Sequence, residues 1–289
     1  MIATTDAQAL RNRALVSLGQ LPPFSPILNR LLASLAQEDV SFVRIADLIE
    51  KDTVLAGNVL RLVNSALYGR RGAVNSIRHA VTLLGVNKLR NATLGMSVSR
   101  MWNQIRTPYG FSIKSFNLHS VGTAMMSDLL AQAGPVDHAE GAFAAGLFHD
   151  LGRLLIAISL PEEFDQVTRL GAGCSFGLQE CERAVLGFTH AELGSDAMAL
   201  WNLPGAIGIA VRYHHEPELA PKPDAPISLS RVIHAADEFI NSMDYKVDAS
   251  DTATIKEAAR RIQGLGLDSP LPPLVETFTT EFEALRAMF

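Results

Sequence analysis

Histidine and aspartate side chains occur at several separated points of the chain where the local pattern turns them towards a protein interior. The clearest case is the pair His149-Asp150, which follows a run of small and apolar residues from Ala142 to Phe148. A buried imidazole and carboxylate are costly unless another group pairs with them. Either a hydrogen-bond network or a metal ion would meet that need.

Further imidazoles and carboxylates fall on other predicted helices. Asp237 lies between Ile233 and Ile240 at helical spacing, and His214 shares a helix face with Val211. Helices in a bundle bring side chains from distant segments to one interior point. A single histidine on an apolar face is more often a hydrogen-bonded core residue than a ligand, so the joint pattern carries the argument. The candidates are His119, His149, Asp150, His190, His214, His215 and Asp237, whereas His79, His138 and His234 are interpreted as structural or surface residues.

The chemistry of these candidates favours a particular class of metal. Imidazole and carboxylate without thiolate suit iron, manganese, zinc or nickel better than a structural zinc–cysteine site. Neighbours on a helix diverge by about 100°, so both members of an adjacent pair reach one centre only at a helix end or a bend. Gly152 and Pro217 are placed to allow such bends next to the two adjacent pairs.

The elements that must position these residues are helical throughout. The apolar spacing predicts five or six helices in the first hundred residues, a helical second half and no convincing strand. Thr189 and Glu192 form a capping-box pattern, so His190 is expected to begin a helix. The turn residues Thr107 to Gly110 are the best boundary signal. The sequence therefore predicts an all-α fold in which an N-terminal helical bundle, residues 1–108, packs on a C-terminal helical domain, residues 109–289.

Composition limits the classes of function. The 289 residues are 48% hydrophobic, 7% aromatic and 19% charged, with a formal net charge of −5. No face clusters Lys and Arg, which argues against nucleic-acid binding. No signal peptide and no apolar run of about 18 residues is visible. Cys174 and Cys181 are interpreted as reduced thiols. We expect a cytoplasmic protein that binds neither nucleic acid nor a membrane.

The second half resembles the HD superfamily of metal-dependent phosphohydrolases, whose pattern is a histidine, an HD dyad and a distal aspartate. His119, His149-Asp150 and Asp237 match that order. His190 and His214-His215 are similar to the additional ligands of the two-metal HD-GYP branch. The glycine-tyrosine-proline signature of that branch is absent, since the chain reads Pro217-Glu218-Leu219-Ala220-Pro221, and Arg153 stands where a lysine is usual.

Several further motifs resemble the HDOD domain, and the resemblance covers about residues 15 to 245. They are Leu21-Pro22-Pro23, Asp52-Thr53-Val54-Leu55, Leu60-Arg61-Leu62-Val63-Asn64-Ser65-Ala66, Ala80-Val81-Thr82-Leu83-Leu84-Gly85, Leu186-Gly187-Phe188-Thr189-His190-Ala191-Glu192-Leu193-Gly194 and Trp201-Asn202-Leu203-Pro204.

The resemblance implies two functions that the residues leave open. HDOD proteins are regarded as signalling output modules, so this chain would regulate by binding another signalling protein or a nucleotide or phosphate ligand around a retained site of one or two metal ions. Alternatively, it would be an active phosphodiesterase or phosphohydrolase acting on a cyclic dinucleotide or another phosphoester. In that case Asp150 would bridge two metals and Arg153 would hold a phosphoryl oxygen.

Overall fold

A computed structural model describes the chain at residues 4–36, 42–65, 73–173, 177–247 and 254–286. Within these ranges the backbone forms sixteen α-helices and no β-strand, apart from one isolated bridge between Val136 and Ile227. The all-helical prediction is confirmed. Cys181 is buried, while Cys174 lies outside the described residues.

The helices divide into two compact units, each assembled from segments that are distant in the sequence. The first unit comprises Met1–Leu21 and Ile105–Leu271, and the second comprises Pro22–Gln104 and Pro272–Phe289. The division near residue 105 lies close to the predicted boundary, but both chain ends belong to the opposite unit from the one that a single boundary assigns. Within the first unit, Arg11 near the N-terminus pairs with Asp196 at 2.6 Å. That either unit folds as an independent domain stays a prediction.

The first unit carries every candidate metal ligand. Its helices are α1 (Thr4–Val16), α7 (Ile113–Gln132), α8 (Ala142–Phe148), α9 (Leu151–Ser159), α10 (Pro161–Gly173), α11 (Leu178–Leu186), α12 (His190–Leu200), α13 (Gly205–Arg212), α14 (Leu229–Ser242) and α15 (Ile255–Gln263). Helix α7 packs against α8 and α14, and α12 packs against α9 and α13. These contacts bring the ends of α8 and α13 close to the middles of α7 and α14.

The second unit contains the remaining helices, which are α2 (Pro26–Ala33), α3 (Phe42–Glu50), α4 (Thr53–Val63), α5 (Ile77–Leu84), α6 (Val86–Trp102) and α16 (Leu271–Arg286). Apolar side chains such as Leu28, Ile49 and Leu89 are fully or almost fully buried in it. Lys88 forms an ion pair with Glu281, which ties α6 to α16.

One described helical stretch, Ala139–Ser159, is long and apolar enough to cross a membrane, and 94% of its apolar window is buried inside the protein. Leu147, Leu151 and Leu154 are completely inaccessible to solvent. The position of this stretch in the core of the first unit therefore explains its apolar character. The stretch contains His149 and Asp150.

Candidate metal centre

The seven predicted ligands all lie in the first unit, and their donor atoms form two adjoining groups. We call the first group His119, His149 and Asp237, and the second group Asp150, His190, His214 and His215. Within each group the donor atoms all lie within 4.8 Å of one another. Six of the seven residues are buried, and His215 is partly exposed. The structure thus brings together residues that are separated by more than a hundred positions in the sequence.

Both adjacent pairs lie at helix ends, which lets neighbouring side chains reach the same centre. His149 and Asp150 form the turn between α8 and α9, and His214 and His215 lie just beyond α13, after Tyr213. The bend near the first pair precedes Gly152 rather than lying at it, since Gly152 is already the second residue of α9.

Gly152 is required for a different reason, which is close contact between helices. A Cβ atom at this position would lie 2.0 Å from the carbonyl oxygen of His190. No side chain can be accommodated at that distance, so the glycine allows α9 to approach the first residue of α12. The position of His190 relative to Asp150 therefore depends on Gly152.

In the first group, the imidazole ring nitrogens are held by backbone carbonyl groups. The Nδ1 atoms of His119 and His149 lie 2.8 Å from the carbonyl oxygens of Tyr245 and Gly146, respectively. Because a carbonyl can only accept, each Nδ1 carries a proton, which leaves Nε2 as the nitrogen available to a metal ion. The two Nε2 atoms face each other at 3.1 Å, and Asp237 Oδ1 lies 3.2 Å from that of His119.

The second group is arranged in the same way around Asp150. His190 Nε2 lies 2.9 Å from His215 Nε2 and 3.3 Å from Asp150 Oδ1. His214 donates through Nδ1 to the carbonyl oxygen of Val211 at 2.6 Å. Its Nε2 atom is buried and has no hydrogen-bond partner. A buried nitrogen left unsatisfied in this way needs an explanation.

Asp150 faces both groups with different oxygen atoms. Its Oδ2 lies 3.7 Å from the Nε2 atoms of His119 and His149, and its Oδ1 lies 3.3 Å from His190 Nε2. This is the arrangement expected of a carboxylate that bridges two cations. Arg153 approaches Oδ2 at 3.2 Å and is itself buried.

The charges of the centre call for a cation. Burial alone would lower the pKa of His149, but Asp150 and Asp237 raise it to about 9. Burial would raise the pKa of Asp150, yet Arg153 and the surrounding histidines hold that pKa well below its usual range. Burial and the neighbouring imidazole of His190 lower the pKa of His215 to about 3. Two ionised carboxylates thus remain in the interior, and the raised pKa of His149 beside them shows that this part of the centre favours positive charge.

The residues present fit divalent transition-metal ions. Five imidazole nitrogens and two carboxylates supply borderline donors of the kind that zinc, iron, manganese and nickel accept. The facing Nε2 atoms need a proton or a metal ion between them, and the buried Nε2 of His214 has no hydrogen-bond partner that a metal ion would displace. Nδ1–H groups bonded to carbonyls or carboxylates are also the usual outer support of metal-bound histidines.

Glu182 on α11 belongs to this environment and is absent from the predicted set. It is 2% exposed, and its Oε2 atom lies 2.8 Å from His190 Nδ1 and accepts the His190 backbone N–H at 2.9 Å. The sequence contained a signal for this residue, because Glu182 lies between Leu178 and Leu186 at helical spacing. Asp237 lies between apolar residues of its own helix in the same way. Asn241 was also missed. It donates to Asp237 Oδ1 at 2.9 Å.

The structure also locates two of the histidines that the sequence pattern indicated as structural or surface residues. His234 donates from Nδ1 to the carbonyl oxygen of His214 at 2.7 Å, so it supports the segment that carries two ligands. His138 is exposed and lies outside both groups.

A cleft of about 760 Å³ gives access to the centre from outside. His215 of the second group and Asp237 of the first group both line it, together with Asn241. Its outer part includes Arg260 and the four residues Gly177 to Glu180. A molecule larger than water can therefore approach donors of both groups.

The family model of the HDOD domain matches residues 21–217, more than half of the chain. The chain belongs to the HDOD domain family. The HD-type pattern of the sequence is therefore that of an HDOD protein in which all seven candidate ligands are present and converge.

Known structures share this fold. An HDOD domain protein of unknown function from Geobacter sulfurreducens is 26% identical, with a TM-score of 0.74, and the match covers 98% of this chain and 99% of that one. A candidate phosphohydrolase from Shewanella amazonensis is 22% identical, with a TM-score of 0.70 and coverage of 96% and 97%. A candidate signal-transduction protein from Marinobacter aquaeolei is 21% identical, with a TM-score of 0.70 and coverage of 98% of this chain and 65% of that one.

Among curated proteins, an uncharacterized protein of Treponema pallidum is 25% identical over 222 residues, which is 73% of this chain. The match spans only 40% of the length of that relative.

Proposed function

We propose that this HDOD protein is a regulatory output protein of signal transduction that binds a phosphate-containing ligand at a two-metal centre. The observation that carries the proposal is the orientation of the imidazoles, whose Nε2 atoms converge in two groups while Asp150 presents one oxygen to each group. The name of the Marinobacter relative supports a signalling role, and the expected location is the cytoplasm.

Two metal positions follow from the two groups. His119, His149 and Asp237 would hold the first ion, His190, His214 and His215 would hold the second, and Asp150 would contribute one oxygen to each. Bound metals supply positive charge to phosphoryl oxygens and lower the pKa of water. The chain itself contributes Arg153, whose guanidinium is fixed 3.2 Å from Asp150 Oδ2 and holds that carboxylate towards the first group.

The access route supports ligand binding over a purely structural role for the metals. A centre that served only to stabilise the helices would not need donors at the wall of an open cleft, yet His215 and Asp237 both line one. The cleft also provides room for the organic part of a phosphoester or for a segment of a partner protein that carries phosphate.

Hydrolysis of a phosphoester is the second candidate function. It is favoured by the same cleft and by the pair Asp150 and Arg153, which would be the bridging carboxylate and the phosphate-binding cation of an active site. It is weakened by the segment after His215. In the branch with two metals a glycine-tyrosine-proline signature follows, whereas Pro217–Leu219 forms a short 3-10 turn here.

The experiment begins with metal analysis of the purified protein and of two variants. We expect two equivalents of metal in the wild type and a large loss in Asp150→Ala, because that carboxylate faces both groups. His79→Ala removes an exposed histidine outside the centre and should keep both equivalents. A metal-free wild type, after purification with zinc or manganese present, would overturn the proposal.

Ligand binding is measured next on the metal-loaded protein. Calorimetric titration with inorganic phosphate should give heat of binding in the loaded wild type and none in the chelator-stripped protein. Turnover of cyclic dinucleotides and generic phosphodiesters separates the two candidates. Turnover that disappears in Asp150→Ala supports the hydrolase, and phosphate binding without turnover of any of these substrates supports the regulatory protein.

A further inference from the structure

The imidazoles of the centre differ in the group that accepts a hydrogen bond from Nδ1. His119, His149 and His214 each direct Nδ1 at a backbone carbonyl oxygen, at 2.8, 2.8 and 2.6 Å. His190 instead directs Nδ1 at the carboxylate of Glu182, whose two oxygens lie 2.9 and 2.8 Å away. One ligand of the second group therefore has a charged partner where the others have a neutral one.

Both carboxylate oxygens of Glu182 contact His190. Its side chain is 3% exposed, and besides the ring it accepts the backbone N–H of His190 at 2.9 Å. Both oxygens are thus engaged by a single residue, the first residue of α12. A buried carboxylate is expensive unless it is hydrogen-bonded, and here both of its donors belong to a candidate ligand.

We propose that Glu182 is a positioning residue that sets the metal affinity of the second group, formed by Asp150, His190, His214 and His215, and leaves the first group unaffected. The inference rests on the proposed two-metal centre. Glu182 makes no contact with the first group, where carbonyl groups of Gly146 and Tyr245 perform the corresponding task.

The physical reason is the state of the His190 ring. A carboxylate at Nδ1 holds the proton on that nitrogen and leaves the Nε2 lone pair directed at Asp150 and His215. It also makes the imidazole a stronger electron donor than a carbonyl partner does. Loss of such an outer partner typically lowers metal affinity by about 10–100-fold.

The test is the substitution Glu182→Gln, which keeps the shape of the side chain and removes its charge. Zinc affinities of the purified full chain are measured by competition with a chromophoric chelator. We expect one of the two affinities to fall by about 10–100-fold and the other to stay unchanged. The visible spectrum of the cobalt-loaded protein should change for one of the two ions only.

A matched control is available in the first turn of α12, the helix whose first residue Glu182 contacts. Glu192 caps α12 by accepting the backbone N–H of Thr189 at 3.0 Å and has no contact with an imidazole. Glu192→Gln removes a carboxylate charge from the same helix end and should leave both zinc affinities unchanged. A fall of the same size in both variants would mean that α12 is merely disturbed and would overturn the inference.

A second variant assigns the loss to its group. His119→Ala removes a ligand of the first group, so it should retain the site that Glu182→Gln weakens. The double variant should bind no zinc at the concentration where each single variant binds one equivalent. If Glu182→Gln does not fold, Glu182→Asp, which retains the charge, is measured instead. A change in both affinities there overturns the inference, and a selective change supports it.

The outcomes for the inference and for the proposed function are distinguishable. A wild type without zinc overturns the proposed two-metal centre. A wild type with two zinc ions, together with unchanged affinities in Glu182→Gln, overturns the role of Glu182 and leaves the proposed function standing.

Discussion

The two units bury polar side chains in opposite ways. In the first unit, seven potential ligands and Glu182 are gathered where their charges depend on one another. In the described part of the second unit no comparable group of donors is found, and buried hydroxyls such as those of Ser34 and Thr93 bond to backbone carbonyls of the preceding helical turn. Among the described residues, the candidate metal ligands therefore gather in the first unit, while the second is held by apolar packing, local caps and ion pairs such as Lys88–Glu281.

The two units also contain glycines with different surroundings, and replacing a glycine of the first unit has the largest expected effect on stability. Gly152→Ala should destabilise the protein by about 3 kcal/mol, because the new Cβ would overlap the His190 carbonyl and force α9 and α12 apart. The second metal should be lost with it, since His190 moves relative to Asp150. Chemical denaturation and metal analysis of the variant measure both effects.

Gly57 on α4 of the second unit is the matched control. Nothing lies within 4 Å of a Cβ built there, and the position is exposed. Gly57→Ala should therefore stabilise the protein by about 1 kcal/mol through helix propensity, with metal content unchanged. Equal behaviour of the two alanine variants would remove the distinction between the units.

The next largest loss of stability is expected from replacing Asn64 in the second unit. Its side chain donates to the carbonyl oxygen of Val74 and accepts the backbone N–H of the same residue, both at 2.7 Å. Asn64→Ala should cost about 1–3 kcal/mol, because two backbone groups lose their partner. Metal content should not change.

Asn58 on α4, the helix that Asn64 follows directly, serves as the control for that substitution. Its contact is an exposed hydrogen bond with Arg61, so Asn58→Ala should stay within about 0.5 kcal/mol of the wild type. Denaturant titration of both variants compares them, and metal loss in Asn64→Ala would contradict the separation of the two units.

The smallest expected effect concerns Asp52, which caps α4 and pairs with Arg100. Asp52 accepts the backbone N–H of Leu55 at 3.0 Å, and the guanidinium of Arg100 lowers its pKa from the ordinary 3.8. Asp52→Asn keeps a capping side chain and loses the charge, so it should cost less than about 1 kcal/mol at pH 7.

The pH dependence of this difference follows from the sign of the pKa shift. A carboxyl group with a lowered pKa in the folded state contributes stability above its unfolded pKa and loses it as the pH falls through the folded value. The difference between wild type and Asp52→Asn should therefore be present at pH 7 and shrink below pH 3.8. A difference that grows on acidification would contradict the assigned ion pair.

Much of the centre could be predicted because its signals are local. Asp237 stands on an apolar helix face, and Thr189 with Glu192 marks the start of α12, which the capping box of the structure confirms. The all-helical fold follows from the same periodicity. The metal-binding roles of the seven residues stay predictions until an ion is measured.

The rest could not be predicted because it depends on contacts between distant helices. The carbonyl groups of Gly146 and Tyr245 that orient the first group are backbone atoms without a sequence signature. The need for Gly152 arises only where α9 meets α12. Glu182 is the exception, since its place between Leu178 and Leu186 could have identified it.

The most direct test of the central claim is the anomalous diffraction of crystals grown with zinc or manganese. The account predicts two ions per chain, one bound by His119, His149 and Asp237 and one bound by His190, His214 and His215, with Asp150 reaching both. For zinc, the ligand distances should be about 2.0–2.2 Å. Crystals that contain the metal in solution but show no anomalous peak at either group would contradict the account.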